Sequence, residues 1–84
     1  MAEVEVGTVS DFFARPVVAG IDLTGALQVG DTIRIRGHTT DLELQIASMQ
    51  VDRQEVSGAQ AGQSIGVKVP DRVRPGDRVF KVVE

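Results

Sequence analysis

The sequence predicts an all-β fold, a small closed antiparallel barrel of six strands. Three observations lead to this prediction. Apolar and polar residues alternate in several short segments, glycine-containing turns precede strands, and a chain of 84 residues has room for only one core. Closing the sheet also removes edges that would otherwise pair with other chains. A two-sheet sandwich is the alternative, less favoured because few strands in two sheets would leave four edges. We therefore expect one domain over residues 1–84.

Four segments have the two-residue period of a half-buried strand, in which side chains point to opposite faces in turn. Two more strands are predicted, one near each end of the chain. The six predicted strands are residues 4–9, 17–23, 32–36, 42–46, 65–69 and 78–83. In the last of them, two adjacent apolar pairs leave the inward face undecided.

The apolar pattern changes parity near the middle of the chain. Apolar residues occupy even positions up to Ile46 and odd positions from Ala47 to Val51. One extra residue in a strand has this effect, so we predict a β-bulge near Ala47 and Ser48. A helix over residues 42–52 is the competing interpretation, but its apolar positions would spread around the helix instead of forming one stripe.

Three glycine-containing segments each lead into a strand, at residues 27–33, 61–65 and 73–79. In the last of them, Pro75 and Gly76 suit the two central positions of a type II turn, since proline presets φ and glycine accepts a positive φ. We expect Gly30 and Gly62 to act in the same way. The Gly-Asp pairs in these segments are interpreted as turns and not as ligand loops.

Composition and charge exclude several classes of protein. Hydrophobic residues make up 42% of the chain and charged residues 25%, which is typical of a folded globular domain. The absence of cysteine excludes disulfides and thiolate metal sites, and a net charge of -3 argues against a stand-alone duplex-binding protein. The acidic start and the lack of an apolar run of ~18 residues predict a cytoplasmic protein without membrane contact.

The chain offers few groups for catalysis, with one histidine and neither cysteine nor tyrosine. His38 is expected in an exposed turn, where neighbouring Thr39, Thr40 or Asp41 bonds to the backbone. Residues 58–64 faintly resemble a phosphate-binding loop, but Gln63 replaces the lysine and a strand follows, so no nucleotide is expected to bind. We therefore expect a protein that is not an enzyme and that holds no metal and no cofactor.

Basic residues cluster on predicted strands and loops in the later part of the chain. If the strand carrying Arg34 and Arg36 lies near the strand carrying Lys68, these side chains could contact a phosphate backbone. The candidate RNA-binding residues are Arg34, Arg36, His38, Lys68, Arg72 and Arg74. A solvated strand face without a binding role is the alternative interpretation.

Phe12 and Phe13 form an unusual pair of bulky apolar residues, expected in a loop between strands. When two such residues are adjacent, one can be buried while its neighbour tends to be exposed. The pair is therefore a candidate contact for a partner, or else a lid over the end of the barrel.

Several segments, taken in order, resemble one known family. They are Val6-Gly7-Thr8-Val9-Ser10 with Phe12-Phe13, residues 18–23, residues 25–35, residues 37–41, residues 61–69 and residues 74–79. Together they resemble domain II of translational GTPases such as elongation factor Tu and initiation factor two, over nearly the whole chain. Similar barrels are accessory domains of U32 peptidase-like proteins. The chain has no G domain, so GTP hydrolysis is not carried over.

The resemblance implies a β-barrel that faces RNA, because in that family the domain contacts ribosomal RNA and, in elongation factor Tu, the acceptor end of aminoacyl-tRNA. We therefore expect a non-enzymatic binding module whose partner is ribosomal RNA, tRNA or a ribonucleoprotein. The alternative is a protein–protein interaction or scaffolding barrel that uses Phe12, Phe13 and mixed charge to dock on another protein or on a second copy of itself.

Overall fold

The computed structural model describes residues 2–15 and 17–83, and within them every regular element is a β-strand. The all-β prediction is confirmed. The strands are β1 (Ala2–Ala14), β2 (Val17–Leu23), β3 (Leu27–Gln28), β4 (Thr32–Arg36), β5 (Asp41–Gln45), β6 (Met49–Val51), β7 (Gln54–Val56), β8 (Gly58–Ala59), β9 (Ser64–Lys68) and β10 (Arg78–Val83). Accordingly, none of the described residues belongs to a helix that could cross a membrane.

Eight of the strands form one antiparallel sheet in the order β5-β4-β10-β1-β2-β9-β6-β7, and β3 pairs with β8 in a separate two-stranded sheet. The predicted closed barrel of six strands is not confirmed. In the described residues no ladder joins β5 to β7, so the sheet stays open between them. The reason lies in residues 46–59, which form the extra short strands β6, β7 and β8 in place of one long closing strand.

The core lies on one side of this sheet and takes every second residue of β2, β4 and β9. Ile33 and Ile35 on β4 are fully buried, as are Ala19 and Ile21 on β2. The predicted alternation is thereby confirmed in these strands. Val79 is also fully buried, which settles the inward face of β10. Phe80, its neighbour, therefore lies on the outer face.

The parity change near Ala47 comes from an interruption between two strands. β5 ends at Gln45 and β6 begins at Met49, and the chain between them has no regular structure. Ile46 and Met49 are both buried although they are three residues apart. The interruption, like the predicted bulge, lets both of them face the core. The competing helix over residues 42–52 is wrong.

The three predicted glycine turns are present and share one hydrogen-bonding scheme. In the turn at residues 74–77, the Asp77 N–H donates to the Arg74 carbonyl (3.0 Å), and the Asp77 carboxylate accepts the Arg74 N–H (2.9 Å). Gly76 has a φ of 95°, which glycine adopts without strain. The turns at residues 28–31 and 60–63 repeat these features with Gly30 and Gly62.

Strand β1 is longer than predicted because it bends and pairs with two neighbours. Its first half pairs with β10 and its second half with β2. Register shifts at Val6 and Ser10 mark two bulges, and bulges increase the local bend and twist of a strand. As a result, Phe12 and Phe13 lie inside β1 and not in a loop, which corrects the prediction for this segment.

Candidate functional site

Arg34 and Arg36 lie on the outer face of β4, as their parity predicts, but both are ion-paired. The Arg36 guanidinium lies 3.1 Å from Glu3, which reaches across β10 from β1. Arg34 lies 3.4 Å from the same carboxylate and 3.3 Å from Asp41 on β5. The Arg34 Nε is buried and makes no hydrogen bond, so its contact with Asp41 is a charge contact without hydrogen-bond alignment.

The neighbouring residues on this outer face continue the pattern of paired charges. Arg78 lies 3.6 Å from Glu5, and the Arg36 guanidinium lies 5.8 Å from the centre of the Phe80 ring. Glu43 adds another carboxylate opposite Arg34 on β5. We call Glu3, Glu5, Arg34, Arg36, Asp41, Glu43 and Arg78 the ion-paired face. Because its carboxylates outnumber its arginines, a phosphate would have to displace a carboxylate to bind there.

Lys68 is not near Arg34 and Arg36. It lies on β9, which is separated from β4 by β10, β1 and β2. Four steps along the sheet at about 4.8 Å each put the two strands roughly 19 Å apart around the wall. The two strands therefore do not lie side by side, as a single phosphate-binding cluster would require. The predicted basic residues divide into two groups.

The second group gathers at one end of the sheet, beside Phe12. The Arg72 guanidinium lies 5.8 Å from the centre of the Phe12 ring, within cation–π range. Phe12 is half-buried and packs against the core. Two depressions flank it, of about 530 Å³ and 330 Å³. The first is lined by Asp11, Phe12, Arg72, Val73, Arg74 and Pro75, and the second by Phe12, Ala14, Val17, Pro70, Asp71 and Arg72.

Phe13 points away from the core and is 53% exposed. It is paired across the sheet with Val18 on β2, which is paired in turn with Lys68 on β9. These three residues form one row on the outer wall, next to the loop that carries Arg72. We call Phe12, Phe13, Lys68, Arg72 and Arg74 the aromatic–cationic end. The predicted difference between the two phenylalanines is present in part, since Phe13 is exposed while Phe12 is half-buried and not fully buried.

The charges at the aromatic–cationic end are arranged differently from those of the ion-paired face. Among the described residues, Lys68, Arg72 and Arg74 take part in no ion pair. The nearby carboxylates of Asp11 and Asp71 instead accept the backbone N–H groups of the residues that follow them, at 2.8 Å and 2.7 Å. The Asp11 and Asp71 carboxylates therefore lie at this end without being held in an ion pair with any of its three cations in the described structure.

His38 lies in the exposed β4–β5 loop, which the Gly37 N–H and the Thr40 carbonyl close at 2.8 Å. This position agrees with the turn interpretation. The loop approaches the turn at residues 74–77, because a Cβ added at Gly37 would overlap the Asp77 carboxylate. His38 is therefore on a loop beside the aromatic–cationic end, and no ion pair or hydrogen bond of its side chain is found in the described structure.

Sequence reasoning missed a cation at the opposite end of the sheet. Lys81 has the inward parity of β10 and lies 3.4 Å from Asp31, beside a depression of about 380 Å³. It also missed Glu3, Glu5 and Asp41 as partners of the arginines. Their outward parity could be read from the strand patterns, but the pairing depends on the order of strands in the sheet.

In residues 2–15 and 17–83, no three side chains are grouped as a metal site would require.

No protein-family model matches this chain. It is 41% identical over 98% of its length to an uncharacterized protease of Methanocaldococcus jannaschii. It is also 33% identical over 94% of its length to a collagenase of Porphyromonas gingivalis. In each comparison the chain spans only 20% of the relative. The expectation of a protein that is not an enzyme is therefore wrong as stated, since the relatives carry the names of proteases.

The fold is similar to crystal structures of the C-terminal domain of a putative U32 peptidase from Geobacillus thermoleovorans. One has a TM-score of 0.87 at 17% identity and covers 93% of this chain and 91% of its own. A selenomethionine variant of the same domain has a TM-score of 0.86 at 16% identity and covers 90% and 96%. The resemblance to translational GTPases finds no support in these comparisons. The chain thus has the fold of a U32 peptidase C-terminal domain, and the resemblance to those accessory barrels is confirmed.

Proposed function

We propose that this chain is a binding domain of a U32-peptidase-type protein, and that its aromatic–cationic end binds single-stranded RNA. The observation that carries the proposal is the contrast between two groups of cations. Arg34 and Arg36 are held by carboxylates, whereas Arg72 and Arg74, which line a depression together with Phe12, have no ion-pair partner among residues 2–15 and 17–83. The similarity to the C-terminal domain of a putative U32 peptidase supports the domain assignment.

The chemistry of this end suits a single strand better than a duplex. Single-stranded nucleic acids bind where aromatic rings stack with bases and cations line the path of the phosphates. Phe13 is exposed in the outer row that ends at Lys68, and Phe12 lines both depressions with the Arg72 guanidinium 5.8 Å from its ring centre. The net charge of -3 for the whole chain opposes broad attraction to a duplex, so contact would depend on this local end.

Two matched double variants test the proposal. Arg72→Ala with Arg74→Ala removes the free cations, and Arg34→Ala with Arg36→Ala removes the same number of charges from the ion-paired face. Binding of a labelled oligouridine would be followed by fluorescence anisotropy over a range of salt concentrations. We expect the first variant to bind roughly tenfold or more weakly, with a salt dependence reduced by about 0.7 in slope per lost contact.

The second variant should bind within a factor of about two of the unmodified chain, because its arginines already have carboxylate partners. Equal losses in the two variants would contradict the assignment of the site to the aromatic–cationic end. Absent or salt-independent binding by the unmodified chain would contradict RNA binding altogether.

Docking to protein is a second candidate function, favoured by the exposed apolar side chains of Phe13 (53%) and Val17 (38%) beside an apolar depression. The partner would be the remainder of a protease-like protein or a second copy of this chain, since this chain spans about a fifth of its curated relatives. Sedimentation of the unmodified chain and of Phe13→Ser would test the second copy. A monomer at all concentrations would exclude it.

The cytoplasmic location also belongs to this proposal. It rests on the absence of cysteine from the sequence, since small secreted domains commonly depend on disulfides. Cell fractionation with an antibody to the natural protein tests it, and recovery in a secreted or membrane fraction would contradict it.

A further inference from the structure

Strand β5 is an end strand of the sheet, and the hydrogen bonds beyond its two ends show which of its backbone groups face the open edge. The Ile46 N–H donates to the Asp31 carbonyl (2.9 Å), and the Gly37 N–H donates to the Thr40 carbonyl (2.8 Å). Both bonds continue the register of the β4–β5 ladder. Bonded and non-bonded pairs alternate along an antiparallel ladder, so the even-numbered residues of this segment bond to β4.

The odd-numbered residues of β5 therefore direct their N–H and carbonyl groups away from β4. They are Asp41, Glu43 and Gln45. In residues 2–15 and 17–83, no second strand lies along this edge, and no backbone hydrogen bond joins it to another segment. Three N–H donors and three carbonyl acceptors thus form an open row with the two-residue spacing of a strand. Such an edge is a template for one further strand.

The inner side of this edge offers apolar surface to an added strand. Leu42 and Leu44 on β5 pack against the core but are only half-buried, and so is Val56 on β7, at the other end of the strand order. Ile35, in the neighbouring strand β4, is fully buried. The core is therefore less well covered at the open edge. Apolar side chains of an added strand would cover Leu42 and Leu44 there.

The outer side of the edge is acidic, which determines the kind of segment that fits. Glu43 is exposed and takes part in no ion pair within the described residues. The Asp41 side chain is 68% exposed, although it lies 3.3 Å from Arg34. Two copies of β5 paired with each other would bring these carboxylates together, and like charges directly opposite each other destabilise a strand pair. Opposite charges stabilise it, so a basic segment is favoured over a second copy.

We propose that the open edge of β5 binds an extended segment of another protein, in which apolar and basic residues alternate, by adding it as an antiparallel strand. The basic residues lie opposite Asp41 and Glu43 and exchange backbone hydrogen bonds with them. The apolar residues between them pack against Leu42 and Leu44. Directly opposite residues share a face of the sheet, so one register makes both sets of contacts. This edge is distinct from the aromatic–cationic end and does not depend on RNA binding.

Peptide binding tests the proposal. The probe is a labelled peptide of alternating lysine and valine, followed by fluorescence anisotropy, and a peptide of the same composition in scrambled order is the control for charge attraction alone. Two more peptides carry N-methyl groups, one on its lysines and the other on its valines. In an antiparallel pair of this register, the lysine N–H groups point to β5 and the valine N–H groups point away.

We expect the alternating peptide to bind roughly tenfold more tightly than the scrambled one. Methylation of the lysines should weaken its binding roughly tenfold or more, because several backbone hydrogen bonds are lost together. Methylation of the valines should leave binding unchanged. Equal weakening by the two methylations, or equal binding of the alternating and scrambled peptides, would refute strand addition at this edge.

Two variants of the chain separate the backbone contact from the charge. Glu43→Pro removes an N–H that faces the edge and breaks no bond to β4, whereas Glu43→Gln keeps the N–H and removes the charge. We expect roughly tenfold weaker binding for Glu43→Pro and about threefold weaker binding for Glu43→Gln. Glu55→Gln, at an exposed position on β7, is the matched control and should bind normally.

Melting temperatures show whether each variant folds, and if Glu43→Pro did not fold, the methylated peptides would carry the test. Normal peptide binding by a folded Glu43→Pro variant would refute the site. Sedimentation identifies the other occupant: if the unmodified chain self-associates and Glu43→Pro does not, the edge takes a second copy and the proposed partner is wrong.

Discussion

Replacing Gly37 by alanine would place a methyl group where the carboxylate of Asp77 now lies. The Asp77 side chain belongs to a residue that is only 6% exposed, and it accepts the Arg74 N–H at 2.9 Å to hold the turn before β10. A Cβ at position 37 would overlap this carboxylate, so the side chain of Asp77 must rotate away. The backbone at Gly37 presents no separate obstacle, since its φ is outside the left-handed region.

The cost can be worked out from the contact that is lost. A hydrogen bond to a charged group contributes about 1.5–3 kcal/mol, and a displaced rotamer costs about 0.5–1.5 kcal/mol more. Gly37→Ala should therefore lower the free energy of unfolding by about 2–4.5 kcal/mol. For a chain of 84 residues the whole free energy of unfolding is of the order of 4–13 kcal/mol, so the loss would be easily measured.

Urea unfolding followed by far-ultraviolet circular dichroism is the appropriate assay, because the chain has no tryptophan or tyrosine for fluorescence. The decisive measurement is a double-mutant cycle with Asp77→Ala, which removes the obstructing carboxylate. In that background Gly37→Ala should cost less than about 1 kcal/mol. If the alanine costs the same with and without the carboxylate, the reasoning from this contact is refuted.

Three further predictions use the same unfolding assay. Arg53→Gly should raise the free energy of unfolding by about 0.5–1 kcal/mol, because Arg53 has a φ of 65° in the β6–β7 turn; a loss of stability would contradict this. Ile35→Ala should lower it by about 2–5 kcal/mol, since the side chain is fully buried, and a cost below about 1 kcal/mol would place the residue outside the core. A double-mutant cycle between Glu3 and Arg36 should give a coupling free energy of at most about 1 kcal/mol, because both side chains are partly exposed. This coupling should fall with added salt. A larger coupling that does not depend on salt would contradict the assignment of an exposed ion pair.

The basic residues show how much of a binding site can be predicted from sequence patterns. Parity correctly indicated that Arg34 and Arg36 lie on an outer face. It did not indicate that Glu3 would come from β1 across β10 to neutralise them, because those residues are more than thirty positions apart in the chain. Free and ion-paired cations look alike in a sequence, and only the order of strands distinguishes them.

The Phe12–Phe13 pair also shows that local sequence does not determine which strands become neighbours. The sequence indicated one buried and one exposed ring but placed both in a loop. The two bulges in β1 extend pairing with β2 through residue 14, which puts Phe13 in a cross-strand row with Lys68. Bulges depend on a partner strand, and local alternation does not reveal which partner a long strand will have.

Local chemistry in this sequence determined strands β2, β4 and β9 with their buried faces, and the three glycine turns, because strand parity and positive φ depend on neighbouring residues. The tertiary structure alone decided that the sheet stays open between β5 and β7, and which cations are paired. Those properties arise from contacts between distant segments. The position of the candidate site was therefore settled by strand order, although every residue in it was visible in the sequence.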